Sequence, residues 1–237
     1  MNRWHTLAPM ALGMITAAPA IAQGVTTTFQ DGTFTDAAWL SPEVAFRDDN
    51  SFQATPSRQT SGGAAPDTNN GFVRVTHDSD PGNDTAVFFY SRPDWVVDPG
   101  DAEITGISGS MKWKSISVPD WGAGFGFEQD GVVYAWTRFG DSENWVTETL
   151  TVDLENFDGF KLKQGFDIND AALPPPDFSD TGAPIRFGTI TFNQNLNTLP
   201  KAGGFDDIRW DITVVPTPGA AAVLGLGGLI AARRRRA

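Results

Sequence analysis

The segment AGFGFEQDGVVYAWTR, residues 123–138, decides the fold class of this chain. Two runs of strand-forming residues flank the pair Asp130-Gly131, and glycine accepts the positive φ that a type I′ turn requires. The segment therefore predicts an antiparallel β-hairpin. On one face of this hairpin we expect Phe125, Phe127, Val133 and Ala135, and on the other Tyr134, Trp136 and Glu128.

The rest of the body repeats short strand-like runs separated by Gly, Pro and Asp. It is rich in Thr, Phe, Trp and Val, and helical periodicity is hard to find. Ten strands in one domain imply two packed sheets, so we predict an all-β fold, a two-sheet antiparallel β-sandwich. The stretch Ser51–Asn70 is low in apolar residues and predicts a long surface loop. The predicted strands are Val25–Gln30, Glu43–Arg47, Gly71–His77, Thr85–Tyr90, Glu103–Ser117, Gly122–Glu128, Val132–Arg138, Trp145–Val152, Pro184–Asn193 and Phe205–Val215.

The long strand at residues 103–117 shows which way its side chains point. Met111 and Trp113 fall on one face, while Lys112 and Lys114 fall on the other. This alternation is typical of an antiparallel strand with one face buried.

Two terminal pieces carry a resemblance to a known fold. Residues 28–34 read TFQDGTF, with Trp39 nearby, and residues 204–212 read GFDDIRWDI. The arrangement resembles the concanavalin-like or carbohydrate-binding-module-like jelly roll. This resemblance implies that the first and last strands of the domain pair with each other.

Composition excludes several classes of function. The chain has 17 basic and 29 acidic residues, and without Arg3 and the four C-terminal arginines 12 basic residues remain, a net charge of −17. Such a surface repels nucleic acid. The absence of cysteine excludes disulfides and thiol chemistry. His77 is the single histidine beyond the N-terminal segment, which argues against His-based triads and zinc sites, and we expect it to face solvent.

The first 22 residues predict a signal peptide. Arg3 supplies a positive charge, residues 7–20 are mostly apolar, and Ala20 and Ala22 form a small-x-small cleavage site. We therefore expect a mature chain that begins at Gln23, is exported through the inner membrane and carries one domain over residues 23–215.

The last 22 residues, 216–237, differ in character from the domain. Pro216-Thr217-Pro218-Gly219 interrupts regular structure, a 14-residue apolar run follows, and Arg233, Arg234, Arg235 and Arg236 form a basic block. A helix of 14 residues spans roughly 21 Å, which is short of the ~30 Å hydrocarbon core. We predict a short transmembrane helix that is marginal as a permanent anchor.

This tail resembles the PEP-CTERM sorting signal of exported bacterial proteins, in which a Pro-x-Pro motif, a short apolar helix and an Arg cluster follow in that order. Here the middle residue of the motif is Thr217 instead of Glu. The resemblance implies an exosortase-type membrane protease as partner, transient attachment to the membrane, and delivery to the cell envelope, cell surface or extracellular matrix.

Two sets of residues are candidates for binding. Asp206 and Asp207 are adjacent in a predicted strand, so one should point inward and need a hydrogen bond, a charge partner or a structural Ca²⁺. Exposed indole rings stack on sugar rings, and the tryptophans in or near loops or on an exposed face are Trp95, Trp121, Trp136 and Trp145.

Three functions remain open on the sequence. The preferred hypothesis is a non-catalytic, structural or adhesive surface protein without a cofactor, and the alternative is a module that binds extracellular polysaccharide. A glycoside hydrolase or lyase is the third, but the glutamates lack the strand spacing of jelly-roll glucanases, and glycosidases need two facing acids.

Overall fold

The computed structural model describes residues 24–48, 53–64, 71–78, 85–116, 121–139, 142–194 and 200–216. These residues form twelve β-strands and one short 3-10 helix, Ala37–Leu40. The described part of the chain has no helix long and apolar enough to cross a membrane. The strands are β1 (Val25–Asp31), β2 (Glu43–Arg47), β3 (Ala54–Gln59), β4 (Phe72–His77), β5 (Thr85–Val97), β6 (Ala102–Ser115), β7 (Trp121–Gln129), β8 (Val132–Phe139), β9 (Val146–Thr151), β10 (Phe160–Leu162), β11 (Ile185–Gln194) and β12 (Lys201–Pro216).

The strands form two six-stranded sheets. The first sheet has the order β3-β4-β12-β6-β9, with β1 also paired to β12, and the second has the order β10-β8-β7-β11-β5-β2. Every registered pair is antiparallel. The predicted two-sheet antiparallel β-sandwich is confirmed.

The β7–β8 hairpin has the predicted turn, because Asp130 and Gly131 have φ of 54° and 73°. The predicted division of its faces is wrong. Phe127 lies directly opposite Tyr134, and Phe125 lies opposite Trp136. Since opposite residues of an antiparallel pair point to the same side of the sheet, these four rings share the inner face, and Val133 and Ala135 lie on the outer face.

The first and last strands pair as the resemblance implies. Val25 lies opposite Val214, and the ladder continues to Asp31 opposite Ile208. The strand β12 ends at Pro216, one residue beyond the predicted boundary. The predicted signal peptide, residues 1–22, and the tail from residue 217 onward lie outside the described residues.

Two strands are absent from the predicted set. The stretch predicted as a surface loop contains β3, which pairs with β4 at the edge of the first sheet. Its sequence ATPSRQ is polar because an edge strand buries little of either face. The other missed strand, β10, has three residues and forms an edge of the second sheet.

Aromatic rings fill the space between the two sheets. Trp39, Phe205 and Trp210 are fully buried there. Phe205 meets Phe34 with ring centroids 5.7 Å apart, and Trp210 meets Phe125 at 5.4 Å. In β6, Met111 and Trp113 point into this core as the alternation predicts.

His77 is buried in the core, so the prediction that it faces solvent is wrong. Its Nε2 lies 2.9 Å from Oγ1 of Thr191 in the opposite sheet. Burial, with a smaller contribution from the charge of Lys201, lowers the pKa of His77 to about 3. The imidazole is therefore neutral at physiological pH and bridges the two sheets.

The second sheet also carries an apolar cluster on its outer face. The alternation along β5 shows this arrangement, because Phe88 faces the sandwich core while Val87 and Phe89 face away from it. Gln164, in the loop after β10, donates to the carbonyl oxygen of Arg47 in β2 at 3.4 Å. These residues lie at opposite edges of the sheet, so a loop reaches across the outer face. The buried members of the outer cluster are Ala45, Phe46, Val87, Phe89, Val133, Ala135, Leu162, Ile190 and Phe192.

We predict that Gly203→Ala destabilises the protein by about 1–3 kcal/mol through overpacking. A Cβ at Gly203 would lie 2.2 Å from the buried Trp121 indole, which must shift. Gly106→Ala is the matched control, because its Cβ would meet Thr213 at an ordinary 3.5 Å. Urea unfolding curves of both variants should show a loss of stability for Gly203→Ala alone, and equal midpoints would contradict the packing described for Gly203.

Candidate functional site

Two of the four candidate tryptophans are in the core and cannot present a ring to a ligand. Trp95 is 3% exposed and stacks on Phe29 with centroids 5.7 Å apart. Trp121 is fully buried beneath Gly203. Both were predicted as exposed ligand-binding residues, and the prediction is wrong because each belongs to a strand face that points between the sheets.

Trp145 is half-buried but already occupied by protein groups. Its Nε1 donates to the carbonyl oxygen of Gly62 at 3.2 Å, and its ring lies 5.3 Å from Phe72. The ammonium of Lys114 lies 4.5 Å from the Trp145 centroid and 4.7 Å from that of Phe72. This cation–π contact covers a ring face that a sugar would need.

Trp136 differs from the other three because its half-buried indole borders a groove. Its ring packs on Phe127 and Phe157, with centroid distances of 5.7 and 5.1 Å. Its Nε1 donates to Oδ1 of Asp158 at 2.7 Å. The indole is therefore held by packing on one side and by a hydrogen bond at its polar edge.

The groove lies where the edges of the two sheets meet, between β9 of the first sheet and β8 and β10 of the second. Its volume is about 350 Å³. We call it the lateral groove. Its described lining consists of Ala135, Trp136, Thr137, Thr149, Leu150, Thr151, Asp158 and Phe160.

An apolar cavity adjoins the lateral groove on the outer face of the second sheet. Its volume is about 170 Å³. Thr137 and Phe160 line both depressions, so the two are neighbours, and we refer to them together as the cleft. The described lining of the apolar cavity consists of Thr85, Val87, Thr137, Phe160, Leu162, Ile168 and Phe192.

Exposed apolar side chains are concentrated beside this cleft. Phe160, Phe166 and Ile168 are 40%, 38% and 37% exposed and lie within nine residues of sequence. Single exposed apolar residues are normal, but a group of them next to a groove is typical of a binding surface. Lys163 lies 5.8 Å from the Phe166 centroid, whereas no cation–π partner is recorded for Phe160 among the described residues.

The polar groups of the lateral groove are hydroxyls and one carboxylate. Thr149 and Thr151 alternate along β9 with their side chains on one face, about 7 Å apart along the strand. Asp158 is the one carboxylate in the described lining, and it can accept further hydrogen bonds beyond that from Trp136. A single carboxylate does not meet the two-acid requirement of common glycosidases.

Another depression, of about 740 Å³, is acidic but open. Its carboxylates include Asp153, which accepts from the backbone N–H of Asn156 and Glu155, and Asp177, which accepts from the hydroxyl and the N–H of Ser179. These hydrogen bonds lower the pKa of both Asp153 and Asp177. The bonds stabilise local turns.

The side chains of Asp206 and Asp207 differ in exposure, as the strand alternation predicts. Asp206 is fully buried and accepts hydrogen bonds from the backbone N–H of Ala64 at 2.7 Å and of Asp207 at 2.8 Å. Asp207 forms an ion pair with Lys112 at 2.6 Å. Both carboxylates thus contact protein groups, and the described residues contain no group of three His, Asp or Glu side chains that could hold a metal ion.

Several residues of the cleft were not singled out from the sequence. The pattern Thr147-x-Thr149-x-Thr151 in β9 is a visible signal for a row of hydroxyls on one face. Phe160 and Asp158 carry no such signal, since β10 is too short for an alternation to show. The described strands carry no row of exposed aromatic side chains on a sheet face.

Comparisons with known proteins give matches among solved structures. No protein-family model matches the chain. No curated protein matches it. A family 11 carbohydrate-binding module from Clostridium thermocellum, in complex with a β-1,3-1,4-mixed-linked tetrasaccharide, has a TM-score of 0.47 at 13% identity, over 83% of this chain and 98% of that one.

Two further structures are similar at lower scores. TmCBM61 in complex with β-1,4-galactotriose has a TM-score of 0.37 at 8% identity, over 68% of this chain and 88% of that one. The CBM22-1 xylan-binding domain from Paenibacillus barcinonensis Xyn10C has a TM-score of 0.34 at 10% identity, over 84% and 99%. Likenesses of this strength carry no argument about what this chain binds.

The carboxyl of Asp206 makes the stability of the protein depend on pH. Burial raises the pKa of Asp206 from 3.8 to about 6. At pH values between these two pKa values the folded state binds more protons than the unfolded state. The carboxyl of Asp206 therefore makes the protein less stable as pH rises from about 4 to about 6, and it causes no further change above about pH 6. The total contribution is up to about 3 kcal/mol.

We therefore expect Asp206→Asn to gain stability relative to the native protein as pH rises from 4 to 7, measured by urea unfolding at each pH. Asp211→Asn is the control. A hydrogen bond from Arg209 lowers the pKa of Asp211, so this variant should show no such gain across the same window. A pH-independent difference for Asp206→Asn would contradict a raised pKa.

Proposed function

We propose that this chain is an exported, non-catalytic protein that binds an extracellular polysaccharide in the lateral groove. The observation that carries the proposal is a groove between two sheet edges that is bordered by the fixed indole of Trp136, by the exposed ring of Phe160 and by Thr137, Thr149 and Thr151. Of the hypotheses that the sequence left open, the geometry favours polysaccharide binding over a purely structural role.

Sugar rings have apolar C–H faces and a rim of hydroxyls, and the groove offers a partner for each. The rings of Trp136 and Phe160 supply apolar surface. Asp158, Thr149 and Thr151 supply hydrogen-bonding groups around them. Polar groups placed beside aromatic rings fix the orientation of a ligand in small-ligand sites.

The groove is also preorganised. The hydrogen bond from Trp136 to Asp158 and the packing of the indole on Phe127 and Phe157 fix the ring before any ligand arrives. Binding then orders few side chains, and this lowers its entropic cost.

Charge favours a neutral glycan. The predicted mature domain, residues 23–215, has a net charge of −17, and the described lining of the groove contains Asp158 and no cation. An acidic polysaccharide would be repelled by both the local and the overall charge.

We expect Phe160→Ala to weaken binding of a neutral polysaccharide roughly three- to tenfold, because it removes a stacking ring. Phe166→Ala is the matched control, with nearly the same exposure but a position outside the described lining. Affinity gel electrophoresis in mixed-linked β-glucan, β-1,4-galactan and xylan measures the retention. The proposal fails if no polymer retards the protein, or if the two variants lose the same affinity.

The proposal includes export and sorting, which rest on the sequence of the two termini. Ala20 and Ala22 would precede cleavage, and the tail would be processed near Pro216-Thr217-Pro218 by an exosortase-type protease. The protein would then act at the cell surface or in the extracellular matrix.

We expect deletion of Arg233–Arg236 to abolish surface display, because the basic block holds the tail on the cytoplasmic side. Surface labelling of cells that produce the truncated and the full-length chain measures this. Replacement of the four arginines by lysine is the control for charge. Unchanged display of the truncated protein would defeat the sorting proposal and leave the binding proposal intact.

A further inference from the structure

The apolar cavity restricts the chemistry of a bound glycan in a way that the lateral groove does not. It opens next to the groove at Thr137 and Phe160, so a glycan in the groove places a neighbouring substituent or sugar unit at its mouth. The inference therefore rests on the proposed function.

The lining of the cavity is poor in hydrogen-bonding side chains. Among the described lining residues, only Thr85 and Thr137 carry a polar side chain, and neither is charged. The other lining groups are apolar, with Val87 and Leu162 at 1% and 2% exposure. A sugar hydroxyl buried here beyond the reach of these two threonines loses its water without a replacement, which weakens binding.

The size of the apolar cavity limits its occupant to one substituent of a sugar. Its volume is about 170 Å³, and an apolar cavity of about 150 Å³ accommodates one benzene-sized molecule. The cavity thus has room for one substituent together with part of the sugar ring that carries it.

An O-acetyl group meets these conditions. It replaces a hydroxyl donor by an ester that needs no acceptor, and its carbonyl oxygen can accept from a threonine hydroxyl. Its methyl group fits the apolar wall formed by Phe192, Leu162 and Ile168. A 6-deoxy sugar would bring a methyl group too, but its methyl carries no acceptor for the hydroxyls of Thr85 and Thr137.

We propose that the apolar cavity is an acetyl-binding subsite and that this protein prefers O-acetylated, neutral polysaccharide. Burying one methyl-sized group contributes roughly fourfold in affinity. The acetylated form of a bound polymer should therefore bind about four times more tightly than its unmodified parent.

The test uses the mixed-linked β-glucan, β-1,4-galactan and xylan, each partially O-acetylated with acetic anhydride, beside mock-treated parents. Affinity gels give the dissociation constant for each pair. Roughly fourfold tighter binding of an acetylated polymer supports the subsite. Equal or weaker binding of every acetylated form, with binding to a parent retained, overturns the subsite but leaves the proposed function standing. Absence of binding to all polymers overturns both.

Two matched variants assign the preference to the cavity. Ile168→Asn puts an amide into the apolar wall and should erase the preference for the acetylated polymer. Ile116→Asn is the control, because Ile116 has the same 37% exposure and lies outside the described lining. Loss of the preference in both variants, or in neither, would overturn the assignment of acetyl recognition to this cavity.

Discussion

The structure depends on a bulge in β12 at Asp206 and Asp207. The register between β12 and β6 shifts between Asp206 and Arg209. Asp207 has a φ of 47°, which a regular β-strand does not contain and which is accommodated by the bulge. Before the bulge β12 pairs with β4, and after it β12 pairs with β1. Hydrogen bonds from the backbone to Asp206 and the ion pair of Asp207 with Lys112 stabilise this transition. One strand thereby organises three neighbours.

The sequence predicts most of this fold because its signals are local. The Asp130-Gly131 turn needs only two residues, and ten of the twelve strands follow from composition and alternation. The strand β3 was missed because an edge strand is polar, and β10 because three residues show no period. The faces of the hairpin were assigned wrongly although the signal was present, because a two-residue turn at Asp130-Gly131 fixes the register that places Phe127 opposite Tyr134.

The binding cleft is less predictable because it forms between elements. Trp136, Thr149 and Phe160 come from three strands in two sheets, and their proximity depends on how the sheet edges meet. Apolar residues on both faces of β5 indicate a strand buried on each side, but not what covers the outer side. Likewise, the burial of Trp95 and Trp121 and the half-burial of Trp136 depend on which strand faces meet between the sheets, and the sequence near each tryptophan does not show this.

The position of β12 has a mechanical consequence. It is the strand from which the C-terminal tail continues, and it is hydrogen-bonded to β6 along nearly its whole length. A force applied at Pro216 along the strand would load these ladder bonds together in shear instead of opening them one at a time. The antiparallel partner β1 would share that load. Tension at the C-terminal end of the domain would therefore be carried by the strand that pairs with three others.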